Sequence, residues 1–585
     1  MKKFKYIAYT AVGLFAATIS SCNKLEEYNP GGATADAAYT TPQGFLTLVN
    51  AAYGETRYMY GKEDYLFLGE SGTDIWINEN NGTYAQQLTK YNSLTPSNGN
   101  PFRNLWPKIW KGINHCNAGI DRIDNAGFAS ETEKNQRLGE LRFLRAFYYW
   151  HIVEQWGGVM LRTHEVNTPE LLASRSSVED FYNLIIDDLL FAKDNLPLSW
   201  GAEYSRATRK SAMGLLARAY LSRAYYSTGA DADAWFTKAK DMANEVIEVA
   251  NGWGVAMWAT PAELWDPKNN KRNQEALFVV SNSALALTTN YDNRANVSHN
   301  WYMNNYVGKP GLVGSTIYGR PNGRRLMPTL FLLNLYNESI DARYEASFRE
   351  KFYSNSRTGA NHTPFVWDAT FAESYNKDKS VVGKTIDSLD LALEVTKRVV
   401  PNKKTVTHVV IDRDDIYEAN GAAKNNSGVF GSLFPVLQKF VDPYRADFTQ
   451  EAGYQDIMII RLAEMHMIAA EAYFRLSDLA AAAESINVIR KRAAKPGQEA
   501  AMAITAGDVT ESFILDEWAR EFCGEFLRWP TLKRMLKGQA FVDRIKLNNP
   551  NITAVEEFHR LRPVPQVELD ALLNGKEFGQ NPGYQ

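Results

Sequence analysis

Apolar residues recur with the spacing of an α-helix over long stretches at both ends of this chain. After Pro42, the residues Phe45, Leu48, Val49 and Ala52 fall at positions i, i+3, i+4 and i+7 and form one stripe on a helix. Proline suits the first turn of a helix, where the N–H that it lacks would have no partner. The chain is therefore predicted to be mainly helical outside its middle third.

A second pattern indicates how the helices pack. Ala470, Tyr473, Ala482 and Ile486 are separated by three, nine and four residues. This is the order of small, aromatic, small and bulky positions in a tetratricopeptide helix pair, and a similar pair begins at Ala217. The predicted fold class is mostly α, a tetratricopeptide-like scaffold of helical pairs with an irregular, loop-rich second lobe that contains short β-strands. A plain all-α bundle is the alternative.

The first residues have the features of a bacterial lipoprotein export signal. Lys2, Lys3 and Lys5 precede a short apolar stretch over residues 7–19, and the sequence Ile-Ser-Ser then leads into Cys22. An apolar residue and two small ones before a cysteine are typical of a lipobox, so Cys22 is predicted to be diacylated and to anchor the mature chain. An ordinary cleavage site beside an accidental cysteine is the alternative.

Composition divides the chain into five predicted regions. Glycine, asparagine and proline become frequent in the middle, where short β-rich runs also appear. The predicted regions are a signal peptide (1–21), a lipid-anchored tether (22–41), an N-terminal helical region (42–252), a loop-rich lobe with short strands (253–455) and a C-terminal helical region (456–585).

Charge and motifs argue against several functional classes. The 64 basic and 67 acidic residues give a net charge of −3, which offers no global field for nucleic acid. No complete nucleotide-binding, metal-binding or nucleophile motif is found, so we predict no enzyme activity, no cofactor and no metal site. Cys116 and Cys523 are predicted to be packed free thiols, with one bridge between them as the alternative. His151 is predicted to be a core histidine.

Several segments resemble a known family when they are taken in order. The segments are ELRFLRAFYY (140–149) followed by GGV, RATRKSAMGLLARAYL (206–221), RLAEMHMIAAEA (461–472), EWAREFCGEFLRWPTLKR (517–534), and PVP (563–565) with NPGY (581–584). Together, after a lipobox, they resemble the SusD/RagB family of Bacteroidota outer-membrane lipoproteins. Three residues depart from the usual pattern: Met160 replaces a proline, Phe526 a glycine and Thr531 an aspartate.

This resemblance implies a function. It implies a non-catalytic binding lipoprotein of the outer membrane that faces the cell surface, captures a glycan and delivers it to a SusC-like TonB-dependent transporter. Glu26 and Glu27 resemble the acidic signals that send such lipoproteins to the surface. The arginines and glutamates inside the aromatic helices are predicted to form buried ion pairs rather than catalytic groups.

A glycan site needs flat aromatic rings for the apolar face of a sugar and polar groups for its hydroxyls. Two polar segments that contain aromatic residues are predicted to supply them. The predicted glycan-binding residues are Asp74, Trp76 and Asn78 in the first segment, and Tyr291, Arg294, Asn300, Trp301, Tyr302 and Tyr306 in the second. The alternative for both segments is that their rings pack on the protein's own core.

Three other functions stay open at this point. The first is capture of an oligopeptide, as some relatives in this family are thought to do. The second is a surface lipoprotein glycoside hydrolase, because such an enzyme needs only two well-placed carboxylates among the 67 acidic residues. The third is a structural adaptor built from helical repeats.

Overall fold

The computed structural model describes residues 35–78, 85–285, 296–321, 326–356, 363–424 and 431–584. The predicted signal peptide and Cys22 lie outside the described residues. The longer helices of the N-terminal part are α2 (Pro42–Gly61), α4 (Asn100–Arg122), α5 (Glu131–Trp156), α6 (Val178–Asn195), α7 (Arg209–Ala224) and α8 (Gly229–Val249), with shorter α1 (Ala35–Ala38), α3 (Glu63–Gly69) and α9 (Pro261–Leu264).

The middle of the chain contains short elements, and the C-terminal part is again helical. The middle helices are α10 (Leu330–Asn334), α11 (Arg343–Ser347), α12 (Ala369–Ser374) and α13 (Arg413–Ile416). The C-terminal helices are α14 (Leu462–Arg475), α15 (Leu479–Ala493), α16 (Glu499–Met502), α17 (Glu511–Phe522), α18 (Arg528–Met535), α19 (Gln539–Asn548), α20 (Gln566–Asp570) and α21 (Gly575–Phe578).

The strands are short and form small separate sheets. They are β1 (Trp76–Ile77), β2 (Ala276–Val280), β3 (Met327–Pro328), β4 (Phe348–Arg349), β5 (Lys351–Tyr353), β6 (Phe365–Val366), β7 (Thr385–Ile386), β8 (Leu391–Val395), β9 (Val409–Ile411), β10 (Val436–Leu437) and β11 (Ile457–Arg461). β2 pairs antiparallel with β11, with Val280 opposite Ile457, so the start of the middle part is joined to the first C-terminal helix.

Local signals explain where the main helices begin and end. The Ser130 side chain accepts a hydrogen bond from the Glu133 N–H and caps α5, which ends at Gly157 with φ of 71°. Ser177 and Asp180 form a reciprocal capping box at the start of α6. Both helix starts can be read from the sequence.

The helices pack in pairs, which confirms the predicted fold class. Ala470, Ala482 and Ile486 are completely buried between α14 and α15. Tyr473 is half-buried, and its hydroxyl accepts a hydrogen bond at 2.8 Å from the Asn244 side chain on α8. Small residues let the helix axes approach closely, while the aromatic ring fills the adjoining groove.

Buried ion pairs join these helices to one another. Arg218 on α7 makes a bidentate pair with Glu464 on α14, with N···O distances of 2.6 and 2.7 Å. Arg534 on α18 pairs in the same way with Glu471 at 2.7 and 2.8 Å. The prediction that these motif residues form structural ion pairs is confirmed.

Arg461, at the junction of β11 and α14, lies at the centre of the largest such network. Its guanidinium contacts carboxylates of Glu275, Glu521 and Glu525, each at 2.8 Å, and all four side chains are shielded from solvent. Arg492 donates to Glu275 and Glu521 from α15. One network thus joins the strand pair to three helices of the C-terminal part.

Two further predictions about buried polar groups are confirmed. Cys116 and Cys523 are both buried and free, and burial raises the pKa of each thiol. His151 is buried and accepts or donates hydrogen bonds at both ring nitrogens, at 3.1 Å to the Tyr60 hydroxyl and at 2.8 Å to the Tyr65 hydroxyl. Among the residues that the structure describes, no helix is long and apolar enough to cross a membrane.

Candidate functional site

The first predicted aromatic, Trp76, lies in the interior of the protein. Its side chain is 0% exposed, and its ring centroid is 5.0 Å from that of Tyr302. The indole N–H donates a hydrogen bond of 2.6 Å to the carboxylate of Glu70, which follows α3. Both the ring faces and the polar edge of Trp76 are therefore engaged by the protein itself.

The polar neighbours of Trp76 are also engaged internally. Asp74 is fully buried and pairs with Arg528 at the start of α18 and with Arg544 on α19, at 2.5 and 3.0 Å. Asn78 is 3% exposed. The segment is polar in sequence because its carboxylate pairs with arginines from distant helices, and not because solvent surrounds it.

The second predicted segment is buried where the structure describes it. Asn300, Trp301, Tyr302 and Tyr306 are each at most 3% exposed. The Tyr306 hydroxyl donates to the Gly319 carbonyl at 2.7 Å, and the Tyr302 hydroxyl donates to the Gly524 carbonyl at 3.2 Å. Tyr291 and Arg294 lie outside the described residues.

The predicted exposure of these rings is therefore wrong. Trp76, Trp301 and Tyr302 form an interior aromatic cluster with Phe440 and Phe526. Aromatic rings contribute most to stability when they bury their full area, and this chain uses them to join its middle part to α3 and α18. Glycan binding by Asp74, Trp76, Asn78, Asn300, Trp301, Tyr302 or Tyr306 stays a prediction that would require this cluster to open.

Glu70 gives this cluster a measurable pH dependence. Burial raises the pKa of Glu70 to about 7 from 4.5, against the opposing hydrogen bond from Trp76. Between those values the unfolded chain loses the proton while the folded chain keeps it, so stability falls as pH rises. Glu70→Gln, which mimics the protonated form, should equal the wild type at pH 4 and exceed it by about 3 kcal/mol at pH 8 in urea unfolding. An equal difference at both pH values would contradict this assignment.

Three grooves on the described surface could receive a ligand. One of about 590 Å³ lies beside α19 and residues 555–560, and one of about 340 Å³ lies between α2, residues 203–206 and β2. The third, of about 460 Å³, is lined by α4, the segment 160–171 and α20, and we call it the Trp110 groove. It differs from the other two because two tryptophans line it.

Trp110 is the central ring of this groove. It is half-buried, and its indole nitrogen has no hydrogen-bond partner among the described residues. The ring of the fully buried Trp106, one helical turn earlier, lies 5.7 Å away between centroids. The Arg162 guanidinium carbon lies 5.8 Å from the Trp110 ring, and its nitrogen is 2.9 Å from a Glu170 carboxylate oxygen.

The wall opposite α4 is held rigidly by side-chain amides. Asn114 accepts from the Val166 N–H at 2.7 Å and donates to the Val166 carbonyl at 3.2 Å. Asn117 donates to the carbonyls of Arg162 and His164, and its own oxygen accepts from Arg145 at 3.0 Å. Hydrogen bonds along the segment thus keep the Arg162 side chain beside Trp110.

Carboxylates complete the polar rim of the Trp110 groove. Burial raises the pKa of Glu568 on α20, opposed by a hydrogen bond from Trp106 and by the charge of Arg162. Lys111 also lines the groove, and its ammonium lies 3.3 Å from a Glu55 carboxylate oxygen. Within the described ranges, no three His, Cys, Asp or Glu side chains form a group that could hold a metal ion.

Sequence reasoning missed this groove because Trp106 and Trp110 fall on the apolar stripe of α4. Such spacing indicates core, and Trp106 is indeed buried. The useful signal is in the segment 162–170, which follows α5 without helical spacing and carries Arg162 and Glu170. Only the fold shows that this segment lies along α4.

Two family models match the sequence. Residues 274–584, more than half of the chain, match the model described as the SusD family. The chain belongs to the SusD family. Residues 51–221 match a second model, described as starch-binding and associating with the outer membrane. The resemblance identified from the sequence motifs is thereby confirmed.

Individual relatives agree with the family assignment. This SusD-family protein is 25% identical over 599 residues to SusD-like protein P2 of Formosa agariphila, with 100% of both chains covered. It is 25% identical over 479 residues to the starch-binding protein SusD of Bacteroides thetaiotaomicron, covering 79% of this chain and 75% of that one. A solved SusD homologue from the same organism matches with a TM-score of 0.67 and 18% identity over 94% of this chain and 98% of its own, which shows the shared fold.

Proposed function

We propose that this SusD-family protein is a lipid-anchored outer-membrane protein, facing the cell surface, that captures an oligosaccharide or polysaccharide and delivers it uncleaved to a SusC-like TonB-dependent transporter. Family membership supports glycan capture, since one relative is named as starch-binding and one matching family model is described as starch-binding and outer-membrane-associated. The proposal makes the protein a binding module and not an enzyme.

The observation that carries glycan capture in this chain is the Trp110 groove. A sugar ring has an apolar face of C–H groups and a rim of hydroxyls. The half-buried Trp110 ring offers a flat apolar surface, while Arg162 and Glu170 offer a cation and a carboxylate beside it. The two charges of this pair balance, which suits a neutral sugar.

The direct test is migration through native gels that contain a polysaccharide, with starch and a panel of other neutral glucans as ligands. We expect at least one polysaccharide to retard the protein relative to a gel without it. The same mixtures should release no new reducing ends after prolonged incubation, because the protein is proposed to bind and not to cleave. Release of reducing ends would favour a hydrolase, and no retardation by any member of the panel would contradict glycan capture.

The lipid anchor has a separate test in cells. Cys22→Ala removes the sulfur that would be acylated, and each buried CH₂ of an acyl chain is worth about 0.8 kcal/mol of membrane binding. We expect the variant to move from the membrane fraction to the soluble fraction, while the wild type stays membrane-bound and accessible to protease added to whole cells. Retention of the variant in the membrane would contradict anchoring at Cys22.

Delivery to a transporter predicts a stable membrane partner. Purification of the tagged full-length protein from detergent-solubilised outer membranes should recover a large β-barrel protein in a fixed ratio. The matched control is the Cys22→Ala variant. It lacks the anchor and therefore cannot co-purify with the barrel protein merely by sharing its detergent micelle. A protein recovered without any barrel partner would contradict delivery while leaving glycan capture intact.

A further inference from the structure

The lining of the Trp110 groove is mainly apolar. Ten of the sixteen residues that line it are apolar, whereas only three of the nine that line the groove beside α19 are. Besides its two tryptophans, the groove has aliphatic lining residues that include Met160, Leu171 and Leu572. One flat ring is enough for the apolar face of a sugar, so this additional lining suits a ligand that carries further apolar groups.

Exposed leucines continue from the groove along one of its edges. Leu171 lines the groove and is 49% exposed, and Leu172 beside it is 64% exposed. Leu573 follows the lining residue Leu572, is 78% exposed, and donates its N–H to the Leu171 carbonyl at 2.8 Å. Single exposed aliphatic residues are ordinary on a protein surface, but a contiguous set indicates a binding surface. We call Leu171, Leu172 and Leu573 the leucine rim.

The two chain segments that carry the leucine rim are fixed to each other. The Asn574 side chain donates to the Ala173 carbonyl at 2.7 Å and accepts from the Ala173 N–H at 3.1 Å. Two residues further along the first segment, Arg175 donates to the carbonyls of Phe578 and Gly579, each at 2.9 Å. The leucines are therefore exposed on a well-held surface, and such a preformed surface loses little conformational entropy when it binds a ligand.

The charged residues that line the groove balance one another. Two are cations, Lys111 and Arg162, and two are carboxylates, Glu170 and Glu568. The Lys111 side chain is 50% exposed and that of Arg162 is 25% exposed, so both cations are partly open to a ligand although each lies beside a carboxylate. An ester carbonyl accepts hydrogen bonds from ammonium and guanidinium groups. A neutral ligand with carbonyl groups fits this lining better than a charged ligand, which would meet charges of its own sign.

We propose that the Trp110 groove and the leucine rim select a neutral glycan that carries O-acetyl esters, an inference that rests on the glycan capture proposed above. A sugar ring packs on Trp110, the acetyl methyl group packs on the leucines, and the ester carbonyl accepts a hydrogen bond from Arg162 or Lys111. Burial of one methyl group tightens binding about fourfold. A protein partner is the other class of occupant, but a standard protein interface takes about 20–30 residues from each side, and the rim has three leucines next to a concave groove.

The deciding experiment compares one polysaccharide in two forms. The polysaccharide that most retards the protein in native gels is sparsely O-acetylated, and a portion is deacetylated again in mild alkali as the control for chemical handling. Isothermal titration of the whole protein should show binding of the acetylated form that is tighter by about fourfold or more. Equal or weaker binding of the acetylated form would overturn this inference and leave glycan capture intact. No retardation by any polysaccharide would contradict glycan capture itself, and this inference with it.

Substitution of the leucine rim assigns this preference to its residues. A double variant with Leu171→Ser and Leu573→Ser should bind the acetylated form no more tightly than the deacetylated form. Leu547→Ser is the matched control, because Leu547 is 81% exposed on α19 and does not line the Trp110 groove, and it should keep the wild-type preference. A double variant that keeps the preference would overturn the assignment to the rim. If it also failed to recover the barrel protein from membranes, the rim would be a protein-docking surface instead.

Discussion

Arg461→Met is expected to lower the free energy of unfolding by about 3–5 kcal/mol, the usual cost of removing one partner from a buried ion pair. The guanidinium contacts three buried carboxylates at 2.8 Å each, and its loss leaves Glu275, Glu521 and Glu525 with fewer cations in a region closed to water. Methionine keeps most of the apolar volume, so the effect would report charge rather than a cavity. Urea unfolding followed by circular dichroism measures it.

Arg413→Met is the matched control. Arg413 pairs with its neighbour Asp414 at 2.9 Å, but both side chains are about half exposed. A solvent-exposed pair contributes about 0–1 kcal/mol, so this variant should unfold close to the wild type. If the two substitutions lowered the free energy of unfolding equally, the buried network around Arg461 would not stabilise the fold more than an exposed ion pair does.

Trp110→Ala is expected to have the largest effect on ligand binding. Truncation of a tryptophan at the centre of a binding site commonly costs about 2 kcal/mol or more, which corresponds to a dissociation constant about thirty times weaker. The same gels that retard the wild type should therefore let this variant pass almost freely. Its far-ultraviolet circular dichroism should match that of the wild type, because the Trp110 side chain is only half-buried and lines the groove.

Trp235→Ala controls for the loss of any half-buried tryptophan. Trp235 lies on α8 outside the groove, is half-buried, and also has an indole nitrogen with no partner in the described part of the chain. Its removal should leave retention by the polysaccharide unchanged. Equal retention of Trp110→Ala and the wild type would place the ligand elsewhere, whereas weaker binding by Trp235→Ala would point to the outer face of α8.

The helical scaffold was predictable from sequence because its signals are local. Caps at Ser130 and Ser177 and the small residues at Ala470 and Ala482 determine helix starts and close helix contacts without knowledge of the rest of the chain. The sequence was sufficient to predict that the motif arginines form buried ion pairs. It was not sufficient to predict which carboxylate each arginine contacts, since Arg461 and Glu275 are 186 residues apart.

The candidate site was not predictable, because exposure depends on contacts between distant segments. Trp76 stands among polar residues, yet Glu70 binds its N–H and Tyr302 covers its ring. Trp110 has the spacing of a core residue, yet it is only half-buried and lines a groove together with the segment that follows α5. The sequence around an aromatic residue shows which neighbouring side chains are polar. It does not show whether water or a distant arginine makes hydrogen bonds to those side chains.

The crystal structure of the protein with an oligosaccharide from a polysaccharide that retards it is the most direct test of glycan capture without cleavage. We expect an intact chain with one sugar ring against Trp110 and hydroxyl contacts to Arg162 and Glu170. A shortened product in the density would contradict binding without chemistry. A ligand bound away from the Trp110 groove would contradict the site.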